Sequence, residues 1–484
     1  MNAWLWEAFE GLANSDMFTV SDAGPLLAPI KTFRVSRDDK RQLVIETSVP
    51  SDARSDSREL PDGQIRFATE NVEFSGAPGT GSVAYGVVPC GIRESWNSEG
   101  VGEKSQQAQV HRLAAWYKDQ SETAYTVDWL ENLDRSQPWT GTSIRDHRES
   151  VETRTIGFGE NELKLTASGD WGGSMSTSAL EMKVAGVMLY LCVVNPDDCK
   201  GKPMKPGYII YAGNPDDEFR LKIRNILSFT LGNYLVYLGC TKLDRNCETV
   251  SVDAVSVPYI GNVFDIMLYP PAPLGTRFHR EVNQLAVSRM VNAIYAAYDT
   301  MDFGKLGWAY WHARCAPVHM AAAHYGAAIE GLYRKYVDGH PEKFRTKIVG
   351  DKSVWKSLQD ALMKSVSESA LEPSDKKLIA AKISNLNAMP FRLVADQLFT
   401  ALGVPLGEAE IGAWDRRNDA AHGEGVGVET LIPTVMDTRL LMLVLHRLVL
   451  KIAESNDSYI DWWSPGMPVR KIVEPVPPPD RASI

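Results

Sequence analysis

From about Thr32 to Tyr269 apolar and polar residues alternate in short runs bounded by Gly, Pro, Asn and Asp. A period of two turns one face of a strand to a core and the other to water, so residues 32–36, 42–47, 163–167, 208–212 and 250–255 are predicted strands. Around residues 105–118 and 218–231 the apolar spacing lengthens to three and four, which predicts two helices within this β-rich region. Pro270, Pro271 and Pro273 then interrupt regular structure, because proline fixes φ and removes a backbone donor. Beyond them the pattern becomes helical over 280–299, 306–337, 352–367, 374–388, 391–402, 406–421 and 430–455. Pro317 divides the second of these segments, whereas Pro433 falls in a first turn, where proline is tolerated. Gly339, Gly403 and the series Gly423, Gly425 and Gly427 supply helix stops and turns. The expected organisation is a multidomain α+β chain. It comprises a β-rich region (1–269), a Pro-rich linker (270–277), an all-α helical bundle (278–456) and an extended, Pro-rich tail (457–484) that packs on the body through Trp462 and Trp463.

Composition narrows the function classes. A length of 484 residues calls for more than one unit, and 44% hydrophobic with 23% charged residues matches a folded globular chain. A net charge of -10 argues against a general nucleic-acid coat, so any RNA contact must be made by a local site. The apolar run at 440–445 is broken by His446 and Arg447, far short of the roughly 20 residues that cross a bilayer. The first residues carry acids and two Trp without a basic n-region, so no secretory signal is expected and the location is expected to be cytoplasmic. Cys192 and Cys199 share a seven-residue offset with Cys240 and Cys247, but this lacks the short gaps of zinc knuckles, and no metal or other cofactor is expected. The Gly-rich stretch 76–82 has Ser82 where a phosphate-cradling loop needs Lys, and is predicted to be a turn.

The most informative chemistry lies in residues 414–424, where Arg417 and His422 are separated by four residues, Asn418 follows the arginine and Gly423 follows the histidine. Arg314 with His319, Arg334 with His340, Arg416 with His422 and Arg439 with His446 have similar spacings. On a regular helix five steps of about 100° set two side chains roughly 140° apart, so the pair needs a helix that is about to end. The glycines after His422 supply that exit. His446 instead sits within the apolar stripe of a long helix, and is expected to be a packing or surface residue.

The segment Arg417-Asn-Asp-Ala-Ala-His422-Gly423 before a long final helix, the run 327–333 containing Glu330 on an earlier helix, and a β-rich region placed first resemble HEPN proteins of the ApeA type, which act in prokaryotic anti-phage defence. The resemblance implies a metal-independent endoribonuclease in which the substrate's own 2′-hydroxyl attacks phosphorus. His422 would move protons, Arg417 would hold the phosphate, Asn418 would orient the site, and Glu330 would hold Arg417 or tune His422. It also implies an RNA substrate, with tRNA among the candidates, a homodimer formed through the helical domain, and a phage-derived trigger sensed by the β-rich region. The alternative is a non-catalytic HEPN interaction or dimerisation module attached to a ligand- or phage-protein-sensing β domain. In that case the Arg-Asn-Asp helix end would be no more than charge placed at a helix terminus.

Overall fold

A computed structural model of the chain describes residues 18–38, 40–53, 70–96, 102–133, 139–148, 151–157, 161–168, 174–194, 207–257, 272–273, 282–421 and 429–478. The chain divides into two compact units, Met1–Tyr295 and Ala296–Ile484. A large antiparallel β region precedes a helical region, an α+β arrangement.

In the first unit, thirteen strands among the described residues form one antiparallel sheet. Its edge-to-edge order is Thr19–Asp22, Val72–Ser75, Gly81–Tyr85, Arg112–Trp116, Thr249–Val255, Tyr237–Leu243, Tyr125–Leu130, Gly207–Ala212, Val187–Val193, Ser174–Val184, Thr142–Arg148, Val151–Gly157 and Leu163–Ser168. A smaller antiparallel sheet runs Thr32–Arg37, Leu43–Pro50, Gly102–Val110 and Val88–Trp96. Phe33, Val35 and Ile45 of the small sheet share a core with Phe74, Leu113 and Val252 of the large one. A second core gathers Val127, Trp129, Tyr190, Tyr208, Ile210 and Leu165. The predicted strands all form, and the Gly-rich stretch 76–82 is the turn and strand start of a hairpin in which Ser75 pairs with Gly81.

The helix expected at 105–118 is instead two strands, Gly102–Val110 and Arg112–Trp116, paired to different sheets. The three-residue step from Val110 to Leu113 is a bend at His111, whose backbone N–H donates to the Tyr85 carbonyl at 3.0 Å. Either side of the bend the burial alternates with period two.

The helix expected at 218–231 is α1 (Asp217–Leu231), opened by Asp216, whose carboxylate accepts from the Phe219 N–H at 2.7 Å, and closed by Gly232 at a left-handed φ of 66°. Strand alternation sends Val127 and Trp129 into one core and Asp128 to the face that α1 covers. There the buried Asp128 carboxylate pairs with Arg220 and Arg224, one helical turn apart. Arg224 also lies over the Tyr237 ring, 4.0 Å from its centroid.

The first predicted helical segment of the C-terminal series, 280–299, contains α2 (Gln284–Ala296), which packs back on the first unit. The Gln284 side-chain oxygen accepts from the Glu181 N–H at 3.0 Å and from the Thr142 hydroxyl, and Tyr295 meets Phe219 edge-on at 5.5 Å. The division therefore falls between Tyr295 and Ala296, beyond the Pro-rich stretch at 270–277, of which only Ala272 and Pro273 are among the described residues.

The second unit contains α3 (Tyr298–Met301), α4 (Phe303–Cys315), α5 (Val318–Gly339), α6 (Lys352–Glu368), α7 (Pro373–Asn385), α8 (Phe391–Leu402), α9 (Glu408–Ala421) and α10 (Leu431–Ile452). Pro317 does separate α4 from α5. Helix α5 packs against α4, α9 and α10, while α6 and α7 form a hairpin in which α6 buries none of its residues. Two interactions pin α10. Fully buried Arg447 donates to Glu410 Oε1 at 2.6 Å, to the Pro405 carbonyl at 2.8 Å and to the Ile472 carbonyl at 3.0 Å. Fully buried His446 meets the Tyr310 hydroxyl at 3.2 Å. The tail does fold onto the body: Ser458–Ile460 pairs antiparallel with Val469–Lys471, and Trp462 and Trp463 are buried. Among the described residues no helix is long and apolar enough to cross a membrane.

Candidate active site

Arg417 lies on α9 and is brought onto α5, where residues 326, 330 and 334 recur at one-turn spacing along a single face. Gly326 provides the bed. A Cβ built there would come within 2.8 Å of Arg417 Cδ, so the absence of a side chain lets the arginine lie across the helix. Glu330 provides the counter-charge, its Oε1 accepting from Arg417 Nη2 at 3.1 Å. Two further contacts come from α9 itself: Arg417 Nη1 donates to the Trp414 carbonyl at 2.5 Å, and the guanidinium carbon stands 3.8 Å from the Trp414 ring centroid. Trp414 is held in turn by Phe399 of α8, edge-on at 6.5 Å. The Arg417 side chain is 10% exposed.

The second oxygen of Glu330 faces Arg334, with Oε2 3.6 Å from Nη2. Arg334 is 70% exposed and Glu330 30%, so the carboxylate sits between an enclosed guanidinium and an open one.

Two of the four expected site residues, Arg417 and Glu330, are therefore brought together from positions 87 residues apart. Asn418 follows Arg417 on α9, but its side chain lies outside the described residues. His422, next after the last residue of α9, also lies outside them.

The competing arginine–histidine spacings fare differently. Arg416, beside Arg417, points to α10, where Nε and Nη2 form a bidentate pair with Asp437 at 2.7 and 2.6 Å. Of the two roles expected for His446, it takes the packing one and not the surface one, with its pKa pushed down to about 3 by burial and, secondarily, by Arg314. Half-buried Arg314 is bonded to Tyr325, and burial raises that fully enclosed phenol to about 12. His340 stacks on Tyr336 at 4.3 Å, with Nδ1 2.9 Å from the Tyr336 carbonyl oxygen.

Sequence reasoning missed Gly326 and Trp414, and weighed Arg334 only as a partner of His340. The signals were present as spacings: a glycine one turn before Glu330, an arginine one turn after it, and a tryptophan three residues before Arg417.

The thiols considered for metal binding are mostly core residues. Cys192 and Cys247 belong to the second core of the first unit, and Cys240 is buried beside Arg220, its pKa raised to about 11 by burial. Cys199 lies outside the described residues, among which no three His, Cys, Asp or Glu converge on one point. Comparisons of the chain with family models, with curated proteins and with solved structures return no match.

Proposed function

We propose that the chain is an endoribonuclease of the HEPN type, similar to ApeA proteins of anti-phage defence, with its site at the junction of α5 and α9. The observation that carries this proposal is the Glu330–Arg417 pair. The arginine of the Arg417–His422 motif and the acidic residue expected on an earlier helix meet at 3.1 Å. An isolated motif would have no reason to produce that meeting. A further support is a local excess of exposed cations in an acidic chain: Lys343, Arg345, Lys347, Lys352 and Lys356 lie on the stretch that leads from α5 into α6. Such a patch attracts a polyanion by releasing condensed counterions.

The chemistry runs as follows. His422 takes the proton of the ribose 2′-hydroxyl, the oxygen attacks the adjacent phosphorus, and the 5′-oxygen of the next nucleotide leaves with a proton, giving a 2′,3′-cyclic phosphate. The permanently charged Arg417 balances charge that develops on the phosphate oxygens. Asn418 orients the site, and Glu330 sets the position of Arg417. Two copies place their motifs face to face, and the β-rich region restrains the site in the cytoplasm until a phage-derived trigger binds.

The test is cleavage of total RNA and of tRNA by the purified full chain, with and without extract from infected cells. Arg417→Ala and His422→Ala are each expected to abolish cleavage while thermal unfolding still shows a folded protein, and chelators are expected to leave cleavage intact. Cleavage retained in His422→Ala removes the assigned proton-transfer role.

One observation favours a second reading. Because Arg417 is only 10% exposed and bonded within the protein, it also suits a non-catalytic interaction module. In that case Arg417→Ala lowers stability, and neither wild type nor variants cleave RNA.

A further inference from the structure

A phosphodiester has to reach a cation from solvent, yet the motif arginine is 10% exposed and its guanidinium is already engaged with Glu330 and Trp414. Among the described residues, Arg334 is an open cation at this corner, one turn beyond Glu330 on α5 and 70% exposed. Each guanidinium faces a different oxygen of the same carboxylate: Arg417 faces Oε1 at 3.1 Å and Arg334 faces Oε2 at 3.6 Å. A phosphodiester presents the same features to its surroundings, two equivalent oxygens sharing one negative charge, and paired guanidiniums are well suited to grip them.

We propose that Glu330 stands in for a substrate phosphate in the resting protein, and that RNA binding exchanges this carboxylate for a backbone phosphodiester whose solvent-side contact is Arg334. The inference rests on the ribonuclease reading of the same site and adds to it a binding residue and a resting-state competitor. Arg334 grips the phosphate, Arg417 remains anchored on Gly326 and Trp414, and Glu330 turns toward solvent on its partly exposed side. An ordinary surface pair between Glu330 and Arg334, four residues apart on a helix, would contribute little to stability and nothing to RNA binding. The two cases therefore predict opposite results.

The test measures binding of a fluorescent mixed-sequence single-stranded RNA oligonucleotide to the full chain carrying His422→Ala, which blocks turnover, across a range of salt concentrations. Arg334→Ala is expected to weaken binding about fivefold to tenfold and to lower the slope of log affinity against log salt by about 0.7, as loss of one phosphate contact on a single strand requires. Arg334→Lys keeps the slope. Glu330→Gln, which retains an acceptor oxygen for Arg417, is expected to tighten binding about threefold at low salt, because a competing unit charge close to the phosphate is removed.

Unchanged affinity and slope in Arg334→Ala overturn the inference, as does weaker binding in a Glu330→Gln protein that melts like its parent. A parent that binds no RNA overturns it too. Cleavage by wild type is scored separately. RNA bound with the predicted responses but never cut leaves the phosphate-exchange site standing and removes the ribonuclease reading. RNA cut by wild type with none of these responses removes the exchange site alone.

Discussion

Placing a methyl group at Gly326 asks directly whether the bed on α5 holds Arg417. A Cβ there would stand 2.8 Å from Arg417 Cδ and 3.4 Å from Cγ and Nε, so the arginine has to move while the helix backbone need not. Two opposing effects set the magnitude. Alanine in place of a mid-helix glycine stabilises α5 by about 0.5–1 kcal/mol. Displacing Arg417 weakens three contacts: its position over the Trp414 ring, about 0.5–1 kcal/mol; its bond to the Trp414 carbonyl, about 1 kcal/mol; and the partly exposed Glu330 pair, under about 1 kcal/mol after allowance for solvent. The expected net effect of Gly326→Ala is a loss of about 1–2 kcal/mol, small enough for the protein to stay folded, with RNA cleavage reduced at least as strongly as stability. The assay is a double-mutant cycle in urea, followed by the helical circular dichroism of Gly326→Ala, Arg417→Ala and the double variant. Because the methyl group has already spoiled the contacts that Arg417 makes, while the helix gain persists without the arginine, the two changes should couple by about 1.5–3 kcal/mol. Additivity within about 0.5 kcal/mol would show that Arg417 is indifferent to the bed, and would refute the packing account of the site.

Two more expectations concern the frame that carries the site. His446 is neutral in the fold, with its pKa depressed to about 3 by burial, while the unfolded chain titrates near the ordinary histidine value of 6.5. The stability it confers is complete above the unfolded value and is lost as pH falls from 6.5 toward 3. At pH 4.5 the loss should reach about 2–3 kcal/mol, and it should disappear from the pH profile of His446→Gln. Identical acid limbs for wild type and variant would contradict it. The second expectation concerns the Glu410–Arg447 pair at 2.6 Å, both side chains fully buried. Glu410→Gln leaves a buried guanidinium without its counter-charge and should cost about 3–5 kcal/mol, whereas Glu410→Gln combined with Arg447→Met should recover much of that loss in the urea midpoint. A double variant no more stable than Glu410→Gln alone would count against burial of the charge as the cause.

Local pattern was enough to place most of the elements. Alternation located the strands at 32–37 and 43–50 within one to three residues at their ends, and helical spacing with Pro317 and Gly403 as punctuation located α4, α5, α6 and α8. Those signals are local because a strand or an amphipathic helix is selected by which neighbours in sequence share a face. Where two periods meet, pattern misleads. The step from Val110 to Leu113 reads as a helical turn, yet it is a bend between strands that pair with different sheets, and only the pairing partners decide that. The position of α2 was likewise set by its partners, since Gln284 and Tyr295 find Glu181, Thr142 and Phe219 in the first unit, and a proline cluster says nothing about where a later helix will dock.

The candidate site divides in the same way. Residues 417–423 suggested a candidate chemistry by their types and spacing, and the run around Glu330 supplied the acidic residue that Arg417 meets. The motif already favoured Arg417 over Arg416, but the direction that Arg416 takes required α10, because Asp437 draws it to the other side. That Gly326 is a seat, that Trp414 is a platform and that Glu330 divides its oxygens between Arg417 and Arg334 depend on helices lying side by side. Contacts between residues 87 positions apart leave no periodic trace in a chain, because the register between two helices is decided by packing across their interface.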